Sequence, residues 1–269
     1  MNELSEVFDL TPGRAPVLVA MPHLGIGLPE ALMHRFSAEA LVLPDTDWHV
    51  DALYGAAAEL GCSVLKARLS RYVVDLNRPP DDAPMYPGST NTGLVPTETF
   101  DGAPLYRPDQ GPRAEEAYSR LALYWRPYHE ALQAELDRLR QRHGFALLWD
   151  AHSIRSRVPR LFEGVLPDLN FGTHDGRSCD PALSRALMAE AAREGDYGAV
   201  LDARFKGGYT TRHYGQPQHG IHAVQLEVTQ RCYLKAEKPP FALSAMKSAR
   251  FGKRIGDLLG VAAAWRPRA

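Results

Sequence analysis

The hydrophobic pattern of the chain alternates between short apolar runs and longer amphipathic stretches. The apolar runs have the length typical of buried strands, and they lie at 15–23, 62–67, 71–76, 145–152, 199–203 and 222–230. The amphipathic stretches have the 3.6-residue period of helices, and they lie at 51–61, about 114–142, 181–195 and 240–260. Strands that alternate with helices predict an α/β fold whose parallel or mixed sheet is covered on both faces.

Proline and glycine positions refine this outline. Pro127 falls inside the stretch 114–142 and predicts a kink or a break in that helix. Asp180 followed by Pro181 is typical of a capped helix start. Residues 79–113 are rich in Pro, Gly, Asp and Thr and lack periodicity, which indicates a functional lid or binding loop. Because no repeat or second core is indicated, we predict that residues 1–269 form a single domain.

The composition narrows the class of protein. Hydrophobic residues make up 45% and charged residues 23%, as in an ordinary globular domain, and the net charge is -1. This charge gives no electrostatic reason to expect nucleic acid or an anionic membrane as a partner. No apolar run approaches the ~20 residues of a membrane span, and the acidic N-terminus does not resemble a signal peptide. The three widely spaced cysteines indicate neither a disulfide framework nor a thiolate zinc site. We therefore predict a cytoplasmic protein with a small-molecule substrate, and the sequence leaves its oligomeric state open.

Polar side chains follow several of the predicted strands. In sheets of this class ligands bind beyond the carboxyl ends of the strands, where the connecting loops meet. The polar residues at these ends, with one that precedes the helix at 51–61, are His23, Asp75, Asn77, Arg78, Asp150, His152, Glu227 and Asp47. Two histidines and a carboxylate at one sheet edge suit a catalytic zinc ion with a fourth position for water. The sequence therefore predicts a metal site at this edge.

Two further roles are suggested by the same residues. Glu227 lies among Val224, Leu226 and Val228, and a buried strand carboxylate needs a partner or a function, such as that of general base. Arg78 beside Asn77 offers a planar fork for a substrate carboxylate. Simpler structural roles remain: Asp47 is equally well placed to cap the following helix, and Asp150 to start a turn. The chain lacks GxSxG, GxGxxG and Walker motifs, which argues against a serine esterase elbow and nucleotide chemistry.

An ordered series of motifs along the chain carries a family resemblance. The motifs are PH.G...P from Pro22, DTDWHVDALY at 45–54, SRYVVDLNRPP at 70–80, YWRPYHEAL at 124–132, DAHS at 150–153, GGYTTRHYG at 207–215 and QLEVTQRCYL at 225–234. Together they resemble the N-formylglutamate amidohydrolases, and the DLNR element also resembles that of aspartoacylase and succinylglutamate desuccinylase. The resemblance implies a three-layer α/β/α, phosphorylase/hydrolase-like fold with a mixed central sheet. It also implies one divalent metal ion per chain, usually Zn²⁺, and hydrolysis of N-formyl-L-glutamate to formate and L-glutamate in histidine breakdown.

The resemblance guides the assignment of the metal ligands. We expect His23, Asp47 and His152 to bind the ion and Glu227 to act as the base. The carboxypeptidase-type HxxE pair is absent because Ile26 stands three residues beyond His23, so we expect Asp47, in preference to Asp45 and Asp51, to be the carboxylate ligand. Leu24, where family members commonly carry a small residue, is expected to reshape that side of the pocket.

A glutamyl substrate has two carboxylates and needs two cationic partners. We expect Arg78 and Asn77 to bind one carboxylate, with Asp75 orienting them. The candidates for the other carboxylate are Arg212, Arg155 and Arg157, and His213 is a candidate for assisting at the oxyanion or the metal. Two alternatives remain at this stage: a hydrolase of another N-acyl amino acid, and a metal-free binding protein on the same fold.

Overall fold

In the part of the chain that the structure describes, seven strands form one mixed sheet. A computed structural model describes residues 7–85, 92–193 and 195–267. The strands are β1 (Phe8–Thr11), β2 (Val17–Met21), β3 (Ser63–Ala67), β4 (Ala146–Ile154), β5 (Leu169–Gly172), β6 (Ala199–Leu201) and β7 (Ile221–Thr229). Their spatial order is β1-β3-β2-β4-β7-β5-β6. Strands β3, β2, β4 and β7 run parallel to one another, whereas β1 pairs antiparallel with β3 and β5 pairs antiparallel with β7. Strand β6 pairs parallel with β5.

Helices cover both faces of this sheet. They are α1 (Glu30–Met33), α2 (Ala38–Leu41), α3 (Ala56–Glu59), α4 (Ala114–Arg120), α5 (Arg126–His143), α6 (Pro181–Ala192), α7 (Tyr209–Tyr214) and α8 (Ala245–Ala264). Shorter 3₁₀ turns lie at Val50–Leu53, Pro217–His219 and Gln230–Cys232, and one π-helical turn, Leu121–Trp125, joins α4 to α5. Helices α6 and α8 pack in one hydrophobic core and α5 packs in another, so the sheet is the middle of three layers.

Up to Ala151 in β4, the apolar side chains alternate between these two cores. Trp149 and Ala151 of β4 face the core of α6 and α8, whereas Ala146 and Leu148 face α5. Strand β7 alternates in the same way, and its nine residues pair with the nine residues of β4 in one continuous parallel register. The alternation is that expected of a strand buried on both faces, since successive side chains point to opposite sides of the sheet.

The predicted fold class is confirmed: the protein has a mixed α/β sheet flanked by helices on both faces. Helix α6 begins as predicted, because the Asp180 side chain accepts a hydrogen bond of 2.7 Å from the Ala182 backbone nitrogen. Among the described residues, every helix is too short or too polar to span a lipid bilayer.

Two secondary-structure predictions were wrong. The run 71–76 is buried but forms turns instead of a strand, because Val73 N bonds to Ser70 O and Arg78 N bonds to Asp75 O. The stretch 51–61 is not one helix: it divides at Gly55 into a 3₁₀ turn and α3. The expected break near Pro127 is present, but it takes the form of the π-helical turn that ends at Trp125.

The aperiodic stretch 79–113 lies beside the carboxyl ends of the strands. Its Leu105 and Tyr106 pack with Phe36 and Tyr72 in a separate small core, and its Phe100 reaches the cavity described below. Residues 86–91 of this stretch lie outside the described residues, so the prediction of a lid or binding loop is not tested there.

Candidate active site

On the side of α5, the sheet changes from apolar to polar along β4 and β7. Ala146 and Leu148 are followed on the same face by Asp150 and His152, and the equivalent positions of β7 change to Gln225 and Glu227. The parallel register pairs Asp150 with Gln225 and His152 with Glu227. Four polar side chains are thereby placed together at the carboxyl ends of two central strands, where ligands bind in sheets of this kind.

His23, Asp47 and His152 meet at this edge in a buried group. His23 follows β2, Asp47 lies in the loop before the turn Val50–Leu53, and His152 lies near the end of β4. Asp47 Oδ2 is 3.9 Å from His23 Nδ1 and 3.3 Å from His152 Nδ1, and the rings of the two histidines are 4.9 Å apart between centroids. One donor atom from each of the three residues lies within 4.8 Å of the other two.

Two carboxylates orient the histidines from behind. Asp75 Oδ1 lies 2.7 Å from His23 Nε2, and Asp150 Oδ1 lies 2.9 Å from His152 Nε2. With both Nε2 atoms occupied in this way, both Nδ1 atoms are left on the side of Asp47. A carboxylate that fixes the distal nitrogen of a histidine is the usual support of a histidine metal ligand.

The donor set of this group fits a divalent cation. Asp47 Oδ2 is buried, and no hydrogen bond from the described residues reaches it with suitable geometry. The carboxylates of Asp47, Asp75 and Asp150 each contact one or both of the two histidines, and Arg71, which donates to Asp75 Oδ2 at 2.6 Å, brings a buried positive charge to the group. Burial lowers the pKa of His152, but Asp150 and Asp47 outweigh this effect and hold it well above the usual value. Two imidazole nitrogens and a carboxylate oxygen in this setting could hold a metal ion.

Glu227 lies beside this group with its side chain in the same cavity. The residue is 8% exposed. Burial raises the pKa of its carboxyl group to about 8, with His152 and Arg71 opposing and Asp47 and Asp150 reinforcing the effect. A buried carboxyl group that titrates near neutral pH has the property required of a general base.

One small cavity of about 90 Å³ is lined by His23, Asp47 and His152 and by Glu227. Among the described residues, three arginines line it: Arg71, Arg78 and Arg204. Its apolar wall is formed by Phe100, Ile154, Leu161 and Phe205. A cavity of this size with guanidinium groups on its wall suits a small anionic molecule.

Arg78 and Asn77 both line the cavity and are held in place by protein contacts. Arg78 donates from Nε to Thr92 O at 2.6 Å and from Nη2 to Thr92 Oγ1 at 2.7 Å. Asn77 Oδ1 accepts a hydrogen bond of 2.9 Å from Thr210 N, and its Nδ2 lies 3.1 Å from His152 Nε2.

Gly208 approaches Asn77 so closely that a Cβ there would lie 2.4 Å from Asn77 Nδ2, so this contact requires glycine. Asp75 contacts the backbone of Asn77, because its Oδ1 accepts a hydrogen bond of 2.9 Å from Asn77 N.

The three arginines predicted as candidates for the second carboxylate, Arg155, Arg157 and Arg212, do not belong to the cavity lining. Arg155 pairs through Nη1 with Asp101 at 2.9 Å, and its Nε and Nη2 are buried without hydrogen-bond partners among the described residues. Arg212 donates to Gly207 O at 2.8 Å and to Met85 O at 3.1 Å. Their assignment to the second substrate carboxylate, like that of Arg157, therefore stays a prediction.

The carboxylates rejected as ligands have other partners. Asp45 Oδ2 accepts from Tyr72 Oη at 2.7 Å and from Phe100 N at 2.8 Å, and Asp51 pairs with Lys66 at 2.8 Å near the surface. His213 is exposed and stacks on Tyr209 at 4.9 Å between centroids.

Sequence reasoning did not single out Arg71 and Arg204. Arg71 lies within the quoted motif SRYVVDLNRPP, but its role depended on a turn where we predicted a strand. It is buried, and its guanidinium lies 4.7 Å from the centre of the Phe100 ring. Arg204 follows the short strand β6, where no motif marked it, and it donates from Nε to Leu161 O at 2.9 Å.

Comparison with known proteins identifies close relatives of the chain. Residues 15–234 match the family model of the N-formylglutamate amidohydrolases. The chain is 52% identical over 262 residues to an N-formylglutamate deformylase of Pseudomonas aeruginosa, covering 97% of this chain and 98% of that protein. It is 51% identical over 236 residues to an N-formylglutamate deformylase of Pseudomonas putida, covering 88% of each. The crystal structure of an N-formylglutamate amidohydrolase from Ralstonia eutropha JMP134 superimposes with a TM-score of 0.81 at 26% identity, covering 96% of this chain and 97% of that one.

Proposed function

Because the chain belongs to the N-formylglutamate amidohydrolase family, we propose that it is an enzyme that hydrolyses N-formyl-L-glutamate to formate and L-glutamate. The observation that carries the proposal is the content of one small cavity: a buried His-Asp-His group, a buried carboxyl group beside it, and guanidinium groups on the wall. These are the parts that hydrolysis of the amide bond of an anionic substrate requires. A place in histidine breakdown follows from the identity of this substrate.

In this proposal His23, Asp47 and His152 hold one divalent metal ion, and nitrogen and oxygen donors of this kind suit Zn²⁺. When bound, such an ion would act as a Lewis acid that activates water and polarises a carbonyl group. The contribution of the protein is to keep both Nδ1 atoms directed at Asp47 through the contacts of Asp75 and Asp150.

Glu227 acts as the proton carrier of the reaction. Its carboxylate takes a proton from the attacking water while the water oxygen bonds to the formyl carbon. As the C–N bond breaks, Glu227 returns this proton to the leaving nitrogen, which becomes the amino group of L-glutamate. Its position across from His152 in the β4–β7 register places it within the same cavity as the three proposed ligands.

The arginines of the cavity wall bind or stabilise the negatively charged groups of the substrate. Arg78 binds one carboxylate, with Asn77 as a neighbouring donor, because a planar guanidinium can meet a carboxylate with two hydrogen bonds. Arg204 joins the candidates for the second carboxylate, Arg155, Arg157 and Arg212, and it has the advantage of lining the cavity. Arg71 places a buried positive charge close to the reaction centre, where negative charge develops on the carbonyl oxygen.

The test is a formate-release assay on the purified protein with N-formyl-L-glutamate as the substrate. We expect turnover that a chelator abolishes and added Zn²⁺ restores. N-formyl-L-aspartate, N-acetyl-L-glutamate and N-formyl-L-glutamine, assayed in parallel, distinguish the proposed substrate from other N-acyl amino acids. Binding of N-formyl-L-glutamate without any formate release by the metal-loaded protein would instead support a binding protein on this fold.

A further inference from the structure

The helical segment from α4 to α5 contacts the turn that carries Asn77 and Arg78. Trp125 donates from Nε1 to Arg78 O at 3.0 Å, and His129 Nε2 lies 2.9 Å from Leu76 O. These two carbonyl groups flank Asn77. The same segment therefore contacts turn 75–78 at the carbonyl groups before and after Asn77, and neither Trp125 nor His129 lines the cavity.

A third side chain extends this set of contacts. Arg120 donates from Nη1 to Val73 O at 3.0 Å and lies 3.4 Å from Tyr72 O. Arg120, Trp125 and His129 are spaced by five and then by four residues. In a regular α-helix side chains five residues apart diverge, whereas a π-helical turn, with its hydrogen bonds from i to i+5, brings them onto one face. The π turn Leu121–Trp125 thus aligns Arg120 with the two residues that bind turn 75–78.

The rings of Trp125 and His129 are themselves held firmly. They stack at 3.8 Å between centroids with an interplanar angle of 27°. His129 Nδ1 lies 3.0 Å from Tyr214 Oη, which belongs to α7. Helix α7 also provides Thr210 N, the donor to the Asn77 side chain. Turn 75–78 is consequently fixed between two helices that also contact each other through aromatic side chains.

We propose that Trp125 and His129 are positioning residues of the deformylase, which fix turn 75–78 so that Arg78 and Asn77 meet the substrate in a set orientation. They act through the backbone of the turn and do not touch the substrate. The inference rests on the proposed function, because Arg78 is taken to bind a substrate carboxylate. It assigns a role to the segment YWRPYHEAL that the proposed reaction leaves without one.

Two conservative variants test the role of the donors. Trp125→Phe keeps an aromatic ring but removes the N–H group, and His129→Leu removes the donor to Leu76 O. For each we expect KM for N-formyl-L-glutamate to rise roughly threefold to tenfold, the loss expected from one hydrogen bond, with kcat within about twofold and metal content unchanged. His129→Gln, whose amide can reach the same carbonyl, should restore a KM close to that of the native enzyme.

A matched control and a double variant exclude a merely structural effect. Trp149→Phe removes another buried indole donor, which bonds to Tyr54 Oη at 2.9 Å in the core of α6 and α8, and it should lower stability without changing KM. If Trp125 acts through Arg78, the effect of Trp125→Phe on kcat/KM should largely disappear in an Arg78→Lys background.

The outcomes separate the two proposals. If the metal-loaded native protein releases no formate, the proposed function is wrong and this inference is wrong with it. If the native protein is active but folded Trp125→Phe and His129→Leu variants keep the native KM, the inference alone is wrong. Additive effects of the Trp125 and Arg78 changes would contradict action through Arg78 in the same way.

Discussion

Glu227 is held where burial opposes its charge, next to the three proposed metal ligands. We predict that Glu227→Gln keeps the bound metal and the affinity for substrate but loses most of the turnover. Removal of a general base typically costs ~10²–10⁴-fold in rate. The measurements are kcat from formate release and metal content by elemental analysis. Glu190→Gln, which alters a carboxylate paired with Arg254 away from the cavity, is the control and should leave kcat unchanged. A Glu227→Gln enzyme with nearly normal kcat would reduce Glu227 to a structural carboxylate.

His129 makes the stability of the fold depend on pH. Burial lowers the pKa of this imidazole to about 3, compared with 6.5 for a solvated histidine. Below pH 6.5 the unfolded chain therefore binds a proton that the folded chain excludes, so protonation favours unfolding. The full contribution of neutral His129 to stability is present above pH 6.5 and is lost progressively as the pH falls towards 3.

We predict that this single residue lowers the free energy of unfolding by up to about 1.4 kcal/mol per pH unit below pH 6.5. Urea unfolding of the native protein and of His129→Gln at pH 7.5, 6 and 5 measures the effect as a difference between the two. The difference should change steadily in favour of the variant as the pH falls. Parallel pH dependences would contradict the assignment.

Several site residues could be nominated from the sequence because strand ends are recognisable. His23, His152 and Glu227 each follow or lie in an apolar run, and parallel strands bring such ends to one edge of a sheet. The pairing of His23 with Asp75 was not predictable in the same way, because 52 residues separate them and the run that ends at Asp75 forms turns instead of a strand. Which arginine faces a cavity depends on the path of the loops, so Arg71 and Arg204 were missed.

The π-helical turn shows how one extra residue in a helix changes the contacts of its neighbours. We predict that deletion of Leu123, which is 60% exposed within this turn, converts it to α-helix and rotates α4 by about 100° relative to α5. Arg120 would then lose the carbonyl groups of Tyr72 and Val73, and separating a buried charge from its partners costs on the order of 3–5 kcal/mol. Chemical unfolding would measure this loss.

The control for this deletion is Leu123→Ala, which keeps the helix register. Because the side chain is exposed, the substitution should change the free energy of unfolding by no more than about 0.5 kcal/mol. Native-like stability of the deletion variant would show that Arg120 finds equivalent partners in a regular helix.

The apolar pattern of a strand, more than its length, decided whether it could be predicted. Apolar runs marked β2, β3, β4, β7 and even the three-residue β6, whereas the four-residue strands β1 and β5 have the mixed sequences FDLT and LNFG and were missed. The run 71–76 was misassigned because burial alone produces the same apolar pattern as a central strand. Turn residues such as Asp75 determine the difference through side-chain contacts with distant parts of the chain.

The proposed metal site joins three distant parts of the molecule. His23, Asp47 and His152 come from the end of β2, a loop and the end of β4, so an ion bound by all three is bound only by the folded chain. We predict that Zn²⁺ at ~100-fold above its Kd raises Tm by roughly 5–10 °C over the chelated protein.

Thermal unfolding with and without chelator measures this stabilisation. Asp47→Asn should abolish most of the difference, because it replaces the carboxylate ligand. Asp51→Asn, which changes a carboxylate paired with Lys66 near the surface, should retain it. Equal responses of the two variants would remove Asp47 from the ligand set.

Because β4 and β7 pair without interruption, the site depends on which alternate residues of these strands face each side of the sheet. On one face of β4, Ala146 and Leu148 pack in the core of α5 and are followed by Asp150 and His152, whereas Trp149 and Ala151 on the other face pack in the core of α6 and α8. One residue gained or lost before Asp150 would exchange Asp150 and His152 with Trp149 and Ala151, which moves polar groups into the core of α6 and α8 and an indole onto the face that carries the site. Evolution can therefore vary the loops of this enzyme in length, but it can change these two strands only by substitution or by steps of two.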